Sequence, residues 1–171
     1  MLTTNQRGAI AETQITAKAI ELGIEVYRPV AEGGRFDLIF AFADATLARV
    51  QCKWARRLGD VVEVRTRSCR RTRDGFLYRQ YTADEIDAIA AYCTDTRTCY
   101  YLGASLVVDR KVVFLRLAPA KNNQATGVNW AADYELGAIA QLGERSAGSR
   151  KVGGSNPPSS ISVMSRDMCP R

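Results

Sequence analysis

Asp37, Gln51 and Lys53 are the residues of this chain whose types and spacing best suit chemistry. Asp37 stands near the start of an apolar run over residues 36–42. After a short polar turn, residues 47–54 carry Gln51 and Lys53. Side chains alternate along a strand, so Gln51 and Lys53 face the same way. A tight turn over residues 43–46, centred on Asp44 and Ala45, places Asp37 opposite Cys52, within cross-strand reach of Gln51 and Lys53. An acid, an amide carbonyl oxygen and an ammonium then converge at one edge of an apolar sheet. That set suits a hard divalent metal and a phosphate ester. Glu12 adds a second acid: it shares a helical stripe with Gly8, Ile15 and Ala19, where an unpaired buried carboxylate is costly and a metal or lysine would relieve it.

Each of these residues also has a structural reading. Asp37 suits a strand-end turn, Gln51 and Lys53 the polar side of a half-exposed strand, and Glu12 an exposed helix face. Trp54 and Trp130 suit packing more than base stacking. The site reading gains because all four polar residues fit one place.

The elements that must position them follow from periodicity. Residues 5–22 have apolar residues at helical spacing, and Gly23 is a natural C-cap. Residues 24–28 read as a strand closed by Pro29, and residues 31–35 as a loop just before Asp37. The run 36–42 is apolar on both faces, which predicts a central strand. Residues 61–64 predict a fourth strand, and the arginine-rich stretch after them a connection. Thr82 to Glu85 forms a capping box, so a helix is expected there with Ile86, Ile89, Ala90 and Tyr92 on its buried side. Residues 98–102 and 112–117 read as further strands, and Asn129 as the cap of a short helix through Leu136. No internal repeat is visible.

At 171 residues the chain suits one domain with a tail, and its formal net charge is +6. Much of that charge is local. Arg65, Arg67, Arg70, Arg71 and Arg73 crowd a segment with no acid before Asp74, which fits phosphate contacts as well as a solvated loop. There is no histidine, which excludes histidine-based triads and histidine metal sites. The five cysteines form no CxxC pair and read as free thiols of a reducing compartment. The N-terminus lacks a signal-peptide apolar core, and no segment approaches membrane-spanning length. A cytoplasmic protein with no membrane partner is expected.

Glu12 on a helix, Asp37 at a strand, then Gln51-Cys52-Lys53 resembles the PD-(D/E)xK nuclease superfamily. More narrowly, the chain resembles the group I intron-encoded homing endonucleases of that fold. The likeness extends through residues 81–87, Ala91-Tyr92, Cys99-Tyr100-Tyr101-Leu102, Leu115-Arg116-Leu117, Asn122-Asn123-Gln124 and Ala131-Ala132-Asp133-Tyr134, so it covers about residues 4–137. Phe36 stands where the superfamily has its proline, and Gln51 replaces the second acid. The intron-encoded members are similar in using glutamine there. Gln51 still offers a carbonyl oxygen but no charge, so Glu12 and Asp37 must supply both negative charges.

The resemblance implies an α/β restriction-endonuclease-like core, a mixed β-sheet flanked by helices, over residues 1–137. It implies Mg²⁺-dependent hydrolysis of double-stranded DNA, with Asp37, Gln51 and Glu12 as metal ligands and Lys53 positioning the attacking water. It also implies a homo-oligomer, dimer or tetramer, so that both strands are cut. Two other readings stay open: another nuclease of this fold, such as a restriction enzyme or junction resolvase, and a DNA-binding module that has lost catalysis.

Residues 138–171 differ in character, with little apolar periodicity and a Gly-, Ser- and Pro-rich stretch, and are expected to be disordered. Ala140 to Arg145 back-translates readily into a tRNA D-arm, and Gly154-Ser155-Asn156-Pro157 into a T-loop. The reading frame is therefore expected to run into a tRNA gene, which agrees with an intron origin because group I introns often interrupt such genes. Genomic DNA without a tRNA gene under those codons would sink this expectation.

Overall fold

Thr3 caps the first helix in the computed structural model, which describes residues 1–31, 33–119 and 126–139. Of the expected tail, residues 138–171 with its tRNA-gene reading, all but residues 138 and 139 lie outside the described residues, as do Asn122, Asn123 and Gln124. Helix α1 spans Thr4–Glu21, and Thr3 and Gln6 exchange side-chain and backbone hydrogen bonds in a reciprocal capping box. Ala11, Ile15 and Ala19, four residues apart, form its buried stripe. Leu22 closes it, and Gly23 follows with φ of 74°, the left-handed conformation that ends helices.

Among the described residues nine strands follow: β1 (Glu25–Tyr27), β2 (Leu38–Ala41), β3 (Leu47–Leu58), β4 (Val61–Arg65), β5 (Arg67–Thr72), β6 (Gly75–Gln80), β7 (Ala88–Cys93), β8 (Thr98–Gly103) and β9 (Val112–Arg116). A short helix α2 (Ala104–Val107) joins β8 to β9, and a 3-10 turn covers Ala131–Tyr134. Seven strands form the main sheet. The path runs β1-β2-β3-β4-β9, with β7 beside β3 and β8 beside β7. The β3–β7 pair is parallel and the other pairs are antiparallel. This is the expected mixed-sheet α/β class.

The sheet divides two cores. On one face α1 lies against Leu38, Phe40, Val50, Cys52 and Ala90. On the other, Ile89, Ala91, Cys93 and Tyr100 meet Val62, Val64, Val113 and Leu115. Phe40, Leu38, Ile15 and Ile89 are fully buried, each contributing roughly 1.5–3 kcal/mol.

Four expectations need correction. The helix expected from Thr82 is instead a single turn followed by β7. Thr82 and Glu85 do exchange capping hydrogen bonds, Glu85 N–H to Thr82 O at 3.1 Å and Thr82 N–H to the Glu85 carboxylate at 3.3 Å. All six residues of β7 are buried, however, and a run with no polar face suits a strand covered on both sides better than a surface helix. The arginine-rich stretch is no connection: β5 and β6 pair as a separate two-stranded ribbon closed at Thr72 and Gly75. Strand β2 alternates buried and half-buried residues and lies between β1 and β3, one place in from the sheet's end. Finally, Asn129 does not cap a helix through Leu136. It accepts the Tyr134 hydroxyl at 3.3 Å, beside the 3-10 turn.

Candidate active site

The β2–β3 hairpin sets the site. Its loop has three residues, 43–45, because Ala45 takes the left-handed conformation with φ of 65° while Phe42 N–H bonds to Thr46 O at 2.9 Å. Leu38 therefore pairs with Val50. One step further along this register Asp37 stands opposite Gln51, not opposite Cys52 as a two-residue turn predicts. The shift tightens the expected cluster. The Asp37 carboxylate accepts the Gln51 side-chain amide and the Cys52 backbone N–H, the latter at 2.7 Å. Its own N–H bonds to Val50 O at 2.9 Å.

Gln51 and Lys53 share the β3 face that carries Ala55 and lies level with Ile89 and Ala91 of β7. Helix α1 covers the opposite face, so Glu12 approaches Asp37 from the other side of the sheet. A cavity of about 400 Å³ lies between them, lined by Glu12, Asp37, Arg28, Pro29, Val30, Ala31, Gly33, Gly34 and Phe36. Asp37 is thus the hub of the expected four. Gln51 bonds to it, and the charges of Lys53 and Glu12 both act with it.

The electrostatics carry a signature. Burial raises the Asp37 carboxyl, against the lowering effects of the Cys52 N–H, Lys53, Gln51 and Arg28. Burial, and then the charge of Asp37, raises Glu12, with Arg28 opposing. Two partly buried acids, both raised by burial and one of them raised further by the other's charge, gain from a nearby cation. Burial lowers the Lys53 ammonium, Asp37 pulls it back up, and Arg35 pushes it down again. Its Nζ donates to the Tyr81 hydroxyl at 2.8 Å. The Cys52 thiol is pushed far up by burial and the neighbouring acids, which makes it inert as a nucleophile.

The arginine segment lies apart from this hub. Arg65, at the end of β4, sits 3.7 Å from Glu63. Arg67, Arg70 and Arg71 belong to β5, and Arg73 to the turn that follows. By register, one ribbon face carries Arg67, Cys69, Arg71, Phe76 and Tyr78. The other carries Ser68, Arg70, Leu77 and Arg79. Every residue of β6 is exposed, and the Arg67 guanidinium lies 3.8 Å from the centre of the Tyr78 ring.

Three residues near the hub carried no clear signal in the sequence. These are Arg28 at the cavity, and Arg35 and Tyr81, whose partners Glu85 and Lys53 lie far along the chain. A larger cavity, about 450 Å³ between the second half of α1 and β8, holds none of the candidate residues.

A family model described as PD-(D/E)XK endonuclease matches residues 2–137. The solved structure of the bacterial homing endonuclease I-Ssp6803I superposes with a TM-score of 0.64. The two are 18% identical, over 87% of this chain and 99% of that one. That likeness establishes the fold. No curated protein sequence matches the chain.

Nucleases of this family act on DNA and generally depend on a divalent metal. Among the described residues no group of three His, Cys, Asp or Glu side chains gathers anywhere. A metal at Asp37 would therefore have two carboxylates, one amide oxygen and water. That sparse oxygen set fits a small hard cation that keeps several waters.

Proposed function

The chain belongs to the PD-(D/E)XK endonuclease family, and on that footing we propose that it is a Mg²⁺-dependent, sequence-specific homing endonuclease encoded by a group I intron. The observation that carries this reading is the Asp37 hub. Its carboxylate is fixed by Gln51 and the Cys52 main chain, with Lys53 two residues along the same strand and Glu12 across a shared cavity.

Asp37, Gln51 and Glu12 would hold the metal. When bound, the metal supplies Lewis-acid polarisation of the phosphate and a water of lowered pKa. Gln51 now turns its amide nitrogen toward Asp37, and rotating that amide presents its oxygen instead. Lys53, whose ammonium burial disfavours and Asp37 partly restores, orients the attacking water and meets the extra negative charge that develops on the phosphoryl oxygens. Arg28, on the same cavity, favours the ionised forms of both acids.

The β5–β6 ribbon would grip the duplex. A two-stranded ribbon fits the major groove, and Arg67, Arg70, Arg71 and Arg73, with Arg65 at its root, supply phosphate contacts. Phe76 and Tyr78 are 63% and 46% exposed, apolar surface suited to contact with sugars and bases. A homo-oligomer, dimer or tetramer, would bring two such sites to the two strands. Buried free thiols at Cys52, Cys93 and Cys99 fit a reducing cytoplasm. Among the described residues no helix is long and apolar enough to cross a membrane.

The test is cleavage of the intronless tRNA gene and of an unrelated duplex, with and without Mg²⁺, by the wild type, Asp37→Ala and Lys53→Ala. Cutting of the tRNA gene alone, lost in both variants, is expected. Cutting of short palindromes or branched junctions would instead indicate a restriction enzyme or resolvase. The remaining reading is a DNA-binding module that no longer cuts. Tight binding without cutting under every divalent ion would establish it.

A further inference from the structure

Tyr81 is only 4% exposed, yet its hydroxyl has a specific task. It accepts a hydrogen bond from Lys53 Nζ at 2.8 Å. The Arg35 guanidinium lies 4.4 Å from the centre of the Tyr81 ring. Arg35 is itself held on three sides: it donates to Gln80 O at 2.8 Å, to the Glu85 carboxylate at 3.0 Å and to Ser68 Oγ at 3.3 Å. Its buried Nε has no acceptor among the described residues. An unmet buried donor is costly, so the arrangement keeps the guanidinium over the ring at some expense.

We propose that Tyr81 is a positioning residue for Lys53, holding its ammonium toward the Asp37 hub, and that Arg35 braces the Tyr81 ring from the root of the β5–β6 ribbon. The chemistry of the acceptor matters. A free lysine side chain has rotamer entropy that an anchored one has already lost. A neutral hydroxyl anchors the ammonium without cancelling its charge. It occupies one of three N–H donors and leaves two for water and phosphate. A carboxylate in its place would compete with the phosphate for the lysine.

The proposal rests on the reading of Lys53 as the group that meets the attacked phosphate, and its test separates the two. Tyr81→Phe keeps the ring under Arg35 and removes only the hydroxyl. In the full-length chain it is expected to melt like the wild type and to bind the duplex with unchanged affinity. Its single-turnover cleavage rate at saturating DNA should fall between about 10- and 100-fold, the scale of a misplaced catalytic group. Such a split between rate and affinity is not what a packing defect gives.

A second readout needs no activity. In the ¹H–¹³C spectrum the two Hε protons of Lys53, assigned by their absence from Lys53→Arg, are expected to be distinct in the wild type and to merge in Tyr81→Phe. Lys53 signals unchanged by Tyr81→Phe overturn the proposal, and so does a wild-type rate in that variant. A wild type that cuts no DNA overturns the nuclease reading instead, and the spectrum still decides whether Tyr81 holds Lys53.

Discussion

Strand β7 and the β5–β6 ribbon are opposites built from neighbouring segments. Every residue of β7 is buried, between β3 and β8 and under both cores, while every residue of β6 is exposed. The first is fixed by what surrounds it. The second stands in solvent as a separate sheet, joined to the body near its root by Arg35 through Ser68 and Gln80. The difference divides the work of a DNA-cutting protein: chemistry needs side chains held to fractions of an ångström, whereas recognition along a groove needs a surface that can adapt. The four candidate catalytic residues sit on elements of the main sheet and on α1, and four of the five candidate DNA-contacting arginines sit on the ribbon.

The sharpest way to break this division is to remove a group from the rigid part. Asp37→Ala or Lys53→Ala is expected to lower the single-turnover cleavage rate by about 10³-fold or more while affinity for the duplex stays nearly the same, read by anisotropy without divalent ions. Equal losses of rate and affinity would mean that the hub also carries recognition. In stability, Ile89→Ala on β7 should cost roughly 2–5 kcal/mol in urea unfolding. Phe76→Ala on the ribbon should stay within about 0.5 kcal/mol. Similar costs at the two positions would show that the ribbon is part of the core.

On the ribbon, Arg70→Ala combined with Arg71→Ala is expected to weaken DNA binding about tenfold and to reduce the slope of log affinity against log salt by about 2, with the rate at saturation unchanged.

The smallest effect is electrostatic. The folded protein raises the Glu12 carboxyl above its unfolded value, so ionised Glu12 costs stability above that range and nothing below it. Glu12→Gln should therefore raise the melting temperature at neutral pH without divalent ions, by about 2 °C or less, and the gain should vanish in acid. The same raised carboxyls of Glu12 and Asp37 predict that Mg²⁺ activation weakens on acidification, beginning above the ordinary carboxylate range.

Much of the site was legible because it depends on local rules. Alternation along β3 puts Gln51 and Lys53 on one face, and a hairpin brings Asp37 to them whichever loop closes it. The register was not legible, because Ala45 gives no sign of the left-handed conformation that a glycine would have advertised. The Thr82–Glu85 box is a true helix-start signal, but burial of residues 88–93 on both faces overrode it. The ribbon escaped notice because its strands have no buried face and so no apolar alternation. Arg35 and Tyr81 were invisible for another reason: Arg35 meets Glu85, 50 residues away, and only the fold supplies that contact.

One bond at the hub has a consequence for how this site can age. The Cys52 group that pins Asp37 is a main-chain N–H, which any residue but proline also has. Drift at position 52 among the small apolar side chains that the core under α1 admits therefore leaves the acid held. Drift at position 51 can exchange an amide for a carboxylate, altering the charge of the site while its central aspartate stays in place. A lineage could move between one-acid and two-acid versions of this hairpin in a single step, and return.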